Sequence, residues 1–156
     1  MDGWETSYHY APLGPVSGDY CDLYPSGGQL YFMLRDVSGK GVAASMRMTQ
    51  LHALFRSLIA IGLPLSEILV QINRFLCDSA LAGQYATLVC GRANPDGAVE
   101  LFNAGHPPVI ALEQRGRKAA AVNRAPAGNV PRSLVRIRPA ANVRRRLALS
   151  LHRWPL

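Results

Sequence analysis

The most constraining feature of this sequence is a strand, a glycine-rich turn and a helix joined around one acidic residue. A nearly continuous apolar run at residues 29–34 predicts a central strand that is buried on both faces. Asp36 follows the run, and Gly39 and Gly41 predict a tight turn. Apolar residues at helical spacing then predict a helix over 42–61. A carboxylate is therefore placed at the corner between a strand and a helix.

The rest of the chain predicts one α+β domain in which two helices stand between two groups of strands. Strand patterns occupy residues 4–11, 16–24, 29–34, 85–92, 99–103 and 109–112. Helical patterns occupy residues 42–61 and a second segment that Pro64 opens. The 156 residues suffice for one such layered domain with its own core.

Hydropathy and cysteine usage predict a cytoplasmic protein. No apolar run reaches the length of about 18 residues that a membrane span needs. The first residues do not have the basic and then apolar pattern of a signal peptide. Cys21, Cys77 and Cys90 show no metal-binding spacing, so all three are predicted to be buried thiols.

Charge divides the chain at residue 112. Residues 1–112 hold six Lys or Arg and nine Asp or Glu, whereas residues 113–156 hold eleven basic residues and one acid. Neither a strand period nor a helix period runs through 113–156, which is predicted to be an irregular Arg-rich tail. Such a tail can bind nucleic acid. It is also the composition expected when a GC-rich gene is read out of frame.

Asp19 and Asp36 fall on adjacent predicted strands beside the glycine-rich turn. Two carboxylates with nearby backbone carbonyls form the oxygen-rich kind of site that Mg²⁺ or Mn²⁺ prefers. The alternative, that both acids are ordinary strand-edge and turn residues, stays open at this point. Lys40 does not belong to a phosphate-binding P-loop, because Leu34 stands where that motif needs its first glycine. His106 is either a general acid, a ligand or a residue that fixes a turn.

Four segments together resemble the SpoIIE-like branch of the PPM-type serine/threonine protein phosphatases. They are Val-Ser-Gly-Asp-Tyr-Cys-Asp at 16–22, Asp-Val-Ser-Gly-Lys-Gly-Val-Ala-Ala at 36–44, Tyr-Ala-Thr-Leu at 85–88 and Asn-Ala-Gly-His-Pro-Pro at 103–108. The resemblance covers residues 4–112, which we take as a partial phosphatase domain. It implies an α-β-β-α sandwich that is incomplete at the C-terminus. It also implies a site for two Mn²⁺ or Mg²⁺ ions.

The resemblance also implies roles for individual residues. Asp19 and Asp36 would be catalytic metal ligands, with Asp36 bridging the two ions, and Val37 would contribute its backbone carbonyl. The residues expected around these ligands are Asp22, Gly39 and His106. The implied reaction is hydrolysis of phosphoserine or phosphothreonine by metal-bound hydroxide without a phosphoenzyme. The implied partner is a phosphorylated anti-sigma-factor antagonist protein; a homodimer is left open, and neither membrane nor nucleic acid is expected.

The sequence departs from that family after residue 112. The family continues with a Gly-Leu-Pro-Leu-Gly segment and a Thr-Asp-Gly motif whose aspartate binds metal, and neither stands here. Read one base out of frame, residues 152–155 permit Thr-Asp-Gly-Leu, and Trp154 followed by Pro155 forces the glycine. We therefore interpret residues 113–156 as frameshifted. Impaired activity and an open apolar sheet edge are expected. The alternatives are a pseudophosphatase that binds a phosphoprotein without hydrolysis, and a nucleic-acid-binding protein.

Overall fold

The computed structural model describes residues 4–10, 18–37, 41–79, 86–107, 109–111, 120–121, 132–136 and 145–151. These ranges contain nine strands and two helices. The strands before the helices are β1 (Trp4–Tyr10), β2 (Tyr20–Ser26) and β3 (Gln29–Val37), and the helices are α1 (Val42–Ala60) and α2 (Leu65–Ser79). The later strands are β4 (Ala86–Ala93), β5 (Ala98–Ala104), β6 (Ile110–Ala111), β7 (Ala120–Ala121), β8 (Arg132–Arg136) and β9 (Arg145–Leu151).

The main sheet is antiparallel and has the order β2-β3-β4-β5-β8. β2 and β3 form a hairpin whose two turn residues, Gly27 and Gly28, have φ angles of 56° and 74°. Positive φ at both positions matches the right-handed twist of the flanking strands and favours glycine. β3 is an interior strand with a continuous buried run from Leu30 to Arg35, as the apolar pattern predicts.

Strand alternation divides the core into two clusters, one on each face of the main sheet. On the helix face, Met33 packs in one cluster with Phe55 of α1 and Ile68 of α2. On the opposite face, Phe32 belongs to a cluster that includes Trp4 of β1. β1 pairs with β9 in a separate two-stranded parallel sheet. The described chain therefore contains a helix layer, the main sheet and part of a second sheet, which confirms the predicted α+β class.

The region 113–156 differs from the predicted irregular tail at three segments, β7, β8 and β9. Each pairs with an earlier strand: β6, β5 and β1 respectively. The alternation of Leu147, Leu149 and Leu151 in β9 is a local strand signal that the irregular-tail prediction overlooked, whereas the choice of partner strand depends on residues distant in sequence. The open apolar edge expected from missing strands does not fall at β5, because β8 pairs with it, and the outermost strands of the main sheet are β2 and β8. The division at residue 112 and the frameshift stay predictions.

The three cysteines are free thiols, but only one has the burial that the sequence predicts. Cys90 is buried, Cys21 is half-buried and Cys77 is exposed on α2. The prediction for Cys77 is wrong because the residue lies on the solvent side of an amphipathic helix. Burial, with the nearby Asp22 carboxylate, raises the pKa of Cys21 to about 11. In the described part of the chain, no helix is both long and apolar enough to cross a membrane.

Candidate metal and phosphoryl site

The carboxyl end of β3 brings Asp19 and Asp36 together. The pairing of β2 with β3 ends at Tyr20 opposite Arg35, so these two acids are the next residues on the two strands. The strands remain close beyond this point, because a Cβ atom added to Gly18 would lie 3.0 Å from the carbonyl oxygen of Val37. Asp19 and Asp36 are therefore cross-strand neighbours, and residues in that relation share one face of a sheet.

Both acids lie on the face that points away from the helices. Asp19 alternates with Cys21 and Leu23, which pack against the cluster containing Trp4. Asp36 alternates with Phe32 and Leu34 of that same cluster. Asp19 is buried, whereas Asp36 is half-buried at the strand end.

The neighbouring backbone suits a cation bound by oxygen atoms. The hydroxyl of Tyr10 donates a hydrogen bond of 3.3 Å to the backbone carbonyl of Asp19, which ties the end of β1 to this corner. A side chain at residue 18 would crowd the Val37 carbonyl oxygen, and glycine avoids that contact. Two carboxylates and one carbonyl are the hard oxygen donors that Mg²⁺ and Mn²⁺ prefer. The residues present therefore fit part of a divalent-cation site.

The described ranges supply this donor set and no larger acidic cluster. No group of three or more His, Cys, Asp or Glu side chains within them could hold a metal ion. Gly39, which the sequence predicts beside the ligands, lies outside the described residues. Further donors would have to come from water, from undescribed residues or from another chain.

The structure does not bring Asp22 to this corner. Asp22 lies on the helix face, where Arg56 of α1 donates hydrogen bonds of 2.9 Å from Nε and 2.7 Å from Nη2 to the two carboxylate oxygens. Residues three apart in a strand face opposite sides of the sheet, so Asp19 and Asp22 cannot share one site by direct contact. The buried Asp22 carboxylate instead fastens α1 to the edge strand β2.

Three neighbouring side chains complete the environment of Asp22. The Nδ1 atom of His52 lies 3.5 Å from the Asp22 carboxylate and also shares a hydrogen bond with the hydroxyl of Tyr20. The Arg56 guanidinium lies 4.8 Å from the ring centre of Tyr24. Burial, followed by the positive charge of Arg56, lowers the pKa of His52. The hydrogen bonds to Asp22 raise the pKa of Arg56.

His106 is held at the same end of the sheet as Asp36. Its Nδ1 atom lies 2.8 Å from the hydroxyl oxygen of Thr87, and Thr87 is the β4 residue directly opposite Asp36. The backbone N–H of His106 donates a 2.9 Å hydrogen bond to Oδ1 of Asn103, which is fully buried. Gly105 precedes it with a φ angle of 73°. The loop thus holds His106 in a fixed turn, and the Thr87 contact directs its imidazole.

Arg35 is a buried charge that the sequence interpretation did not single out. Its side chain is fully buried, and its three guanidinium nitrogens have no hydrogen-bond partner among the described residues. Desolvation lowers its pKa to about 10. The sequence did contain a signal for this buried charge. Arg35 has the same strand phase as Met33 and Val37, so a charged residue falls on the helix face of a strand predicted to be central.

The architecture around this corner is that of PP2C-type phosphatase domains. The PP2C phosphatase domain of SpoIIE from Bacillus subtilis, solved with a fragment of its regulatory domain, matches 80% of this chain and 39% of its own, with a TM-score of 0.68 and 18% identity. RsbX solved in complex with magnesium matches 81% of this chain and 63% of its own, with a TM-score of 0.67 and 13% identity. These similarities confirm the fold.

Sequence comparison assigns the family. The family model described as Stage II sporulation protein E matches residues 26–131, which is more than half of the chain. This chain belongs to the SpoIIE family. The match begins after Asp19 and continues beyond residue 112, the predicted end of the phosphatase-like part.

A protein named as a phosphatase and a structure that contains an RsbU domain are similar to this chain. Phosphoserine phosphatase RsbU from Bacillus subtilis strain 168 is 27% identical over 105 residues, which cover 67% of this chain and 31% of RsbU. The structure of the RsbU and RsbW domains of a Mycobacterium tuberculosis protein matches 85% of this chain and 40% of its own, with a TM-score of 0.69 and 25% identity. The chain thus spans about a third of RsbU.

Proposed function

We propose that this chain is part of a metal-dependent serine/threonine protein phosphatase whose site is built around Asp19, Asp36 and the carbonyl of Val37. The observation that carries the proposal is the placement of both carboxylates as cross-strand neighbours on one face, beside the carbonyl of Val37 that Gly18 does not crowd. Family membership and the phosphoserine phosphatase activity named for RsbU support the choice of reaction.

Two Mn²⁺ or Mg²⁺ ions are proposed for this site, and the magnesium complex of RsbX supports that choice. Bound divalent ions would supply Lewis-acid activation of water and neutralise charge on the phosphoryl group. Asp36 lies between Asp19 on one side and Thr87 on the other, a position that suits a carboxylate shared by two ions. Glycine at residue 18 leaves the Val37 carbonyl uncrowded, and the Asp19 carboxylate is buried beside it.

The proposed substrate is a phosphorylated anti-sigma-factor antagonist protein in the cytoplasm. The SpoIIE family match and the similarity to RsbU support a regulatory phosphoprotein rather than a small metabolite. The structure that joins RsbU and RsbW domains also supports a regulatory protein partner.

Activity of this chain is proposed to be weak. Glu113 is the only acid after Glu100, so residues 113–156 offer no aspartate to complete the site. Incompletely ligated divalent ions bind less tightly, because fewer anionic oxygens balance their charge. The same observation favours a second candidate function, in which the chain binds a phosphoprotein partner without hydrolysing it.

Phosphate release from a phosphoserine protein, measured with and without Mn²⁺, tests the proposal. We expect Mn²⁺-dependent turnover well below the ordinary enzyme range of about 1–1,000 per second. Asp36→Asn should abolish it, whereas Asp96→Asn, at a turn distant in sequence, should not. Equal activity in the Asp36 variant would refute the assigned site. Turnover at an ordinary rate would refute the impairment, and phosphoprotein binding with no turnover would favour the pseudophosphatase.

A further inference from the structure

We propose that His106 contacts the phosphoryl group of the substrate and that Thr87 positions its imidazole for this contact. The inference deepens the proposed function and rests on it, since it assigns phosphoryl recognition to residues beside the metal-binding acids. Its basis is a row of side chains that crosses three adjacent strands at one end of the main sheet.

The row consists of Asp19, Asp36 and Thr87. Asp36 is directly opposite Thr87 in the pairing of β3 with β4, and Asp19 is its neighbour on the other side. Thr87 alternates with Val89, which packs in the cluster containing Trp4, so the hydroxyl lies on the same face as both carboxylates. Adjacent strands are about 4.8 Å apart, so Thr87 lies roughly one strand spacing from Asp36.

His106 extends this row. The 2.8 Å contact between Thr87 Oγ1 and His106 Nδ1 places the imidazole next to the row. It does not join Asp19 and Asp36 in a metal-binding group, because the described residues form no such group of three. A group adjacent to the metal-binding acids, but not clustered with them, is suited to an oxygen of the phosphoryl group that the metals would bind.

The protein holds His106 through contacts to its loop backbone and to its imidazole ring. Asn103 is fully buried, accepts the backbone N–H of His106 at 2.9 Å and donates through Nδ2 to the Pro107 carbonyl at 3.3 Å. Thr87 restrains the ring itself. The His106 side chain nevertheless remains half-exposed, so a ligand can reach it. A rigid donor that is accessible on one side loses little entropy when it binds a ligand.

A purely structural role for His106 makes a different prediction from phosphoryl recognition. Asn103 binds the backbone of residue 106, so His106→Ala keeps that contact and the turn. If the side chain only braced the turn, its removal would lower thermal stability and leave affinity for a phosphorylated ligand unchanged. If it contacts the phosphoryl group, affinity falls while stability and Mn²⁺ binding are retained.

The test is calorimetric titration of the full chain with Mn²⁺ and then with a phosphoserine peptide or its unphosphorylated counterpart. Loss of a hydrogen bond to a charged group should weaken phosphopeptide binding by about 10-fold to 100-fold in His106→Ala. His106→Gln, which keeps an N–H donor, should recover part of that loss. Thr87→Val should weaken binding less, and Thr87→Ser should bind as the wild type does. His52→Ala, a histidine on the helix face, is the matched control and should bind normally.

Several results would overturn the inference while leaving the proposed function intact. The first is phosphopeptide affinity in His106→Ala equal to that of the wild type at unchanged melting temperature. Parallel loss of Mn²⁺ affinity would also overturn it, because His106 would then act on the metals. A fall in melting temperature that Thr87→Val reproduces, with no change in phosphopeptide affinity, would assign the pair a structural role. Absence of Mn²⁺ binding in the wild type would instead overturn the proposed function, and the inference with it.

Discussion

Asp19 and Asp22 are the same residue type, three positions apart, yet they belong to opposite faces of one sheet. On the helix face, Asp22 is enclosed by Arg56 and His52 and fastens α1 to β2. On the other face, Asp19 lies beside Asp36 at the carboxyl end of β3. Strand alternation separates a structural acid from a candidate ligand, so proximity in sequence is a poor guide to shared function in a strand.

Two arginines on the helix face differ in their environment. Arg56 is 40% exposed on the rim of the helix face and has a carboxylate partner. Arg35 is fully buried near the carboxyl end of β3, and its guanidinium has no hydrogen-bond partner among the described residues. Burial without a partner is costly, because a charge loses its hydration and gains nothing in exchange. Within the described ranges, the helix face thus contains both a hydrogen-bonded acid, Asp22, and a buried guanidinium without a hydrogen-bond partner.

The largest effect is expected from the helix-face core. Phe55→Ala should lower the free energy of unfolding by about 3–5 kcal/mol, because it removes a fully buried aromatic ring between α1 and the sheet. Urea denaturation measures the change. The control is Ile61→Ala at a 70% exposed position, where the change should be within about 0.5 kcal/mol. Similar effects in the two variants would mean that α1 does not pack as described.

Replacing the buried Arg35 should stabilise the folded chain, in contrast to the loss of Phe55. Arg35→Leu should raise the free energy of unfolding by about 1–4 kcal/mol, because it removes an uncompensated charge and leaves an apolar side chain in its place. Arg74→Leu, at an exposed position on α2, is the matched control and should change little. Destabilisation by Arg35→Leu would show that an anion satisfies this guanidinium in solution.

The acid on the helix face should matter for stability alone. Asp22→Asn should lower the free energy of unfolding by about 1–2 kcal/mol, because it removes the charge that Arg56 binds with two hydrogen bonds. Arg56 remains partly solvated, which limits the loss. Calorimetric Mn²⁺ affinity should equal that of the wild type. A large loss of Mn²⁺ affinity would erase the proposed distinction between Asp22 and Asp19.

The smallest expected effect is the change in stability when the pH is lowered around His52, which lies next to Asp22 and Arg56. The pKa of His52 is below its ordinary value in the folded chain, so the unfolded chain binds more protons as the pH falls. The contribution of His52 to stability is therefore complete above about pH 6.5 and is lost as the pH falls through the folded-state pKa. His52→Gln should remove this slope, worth less than about 1 kcal/mol, in urea denaturation between pH 7.5 and about 5. A wild-type slope of opposite sign would mean that Asp22 outweighs burial and Arg56.

The sequence predicted the elements of the fold where local patterns are strong. The apolar run before Asp36 predicted an interior strand, which the structure shows as β3. The helix predicted over 42–61 became α1 with nearly the same bounds. Each of these elements depends on residues adjacent in the chain, so its signal is visible without knowledge of tertiary contacts.

Tertiary information was harder to predict. β8 and β9 depend on partners far away in sequence. In β9 the alternation of Leu147, Leu149 and Leu151 was a local strand signal that the prediction of an irregular tail overlooked. The spacing of Asp19 and Asp22 predicts that they lie on opposite faces of a strand. It does not predict which of the two faces the helices cover. The contact between Thr87 and His106 joins two motifs 19 residues apart, and only the pairing of β4 with β3 places it beside Asp36.

Titration of the full chain with Mn²⁺, compared between Asp36→Asn and Asp22→Asn, tests the central claim most directly. The two substitutions remove the same charge from opposite faces of one sheet. The structure predicts that the wild type and the Asp22 variant bind Mn²⁺ with equal affinity, and that the Asp36 variant loses binding by about 10-fold or more. Wild-type affinity in the Asp36 variant, or loss of binding in the Asp22 variant alone, would contradict the assignment of the metal site to the face opposite the helices.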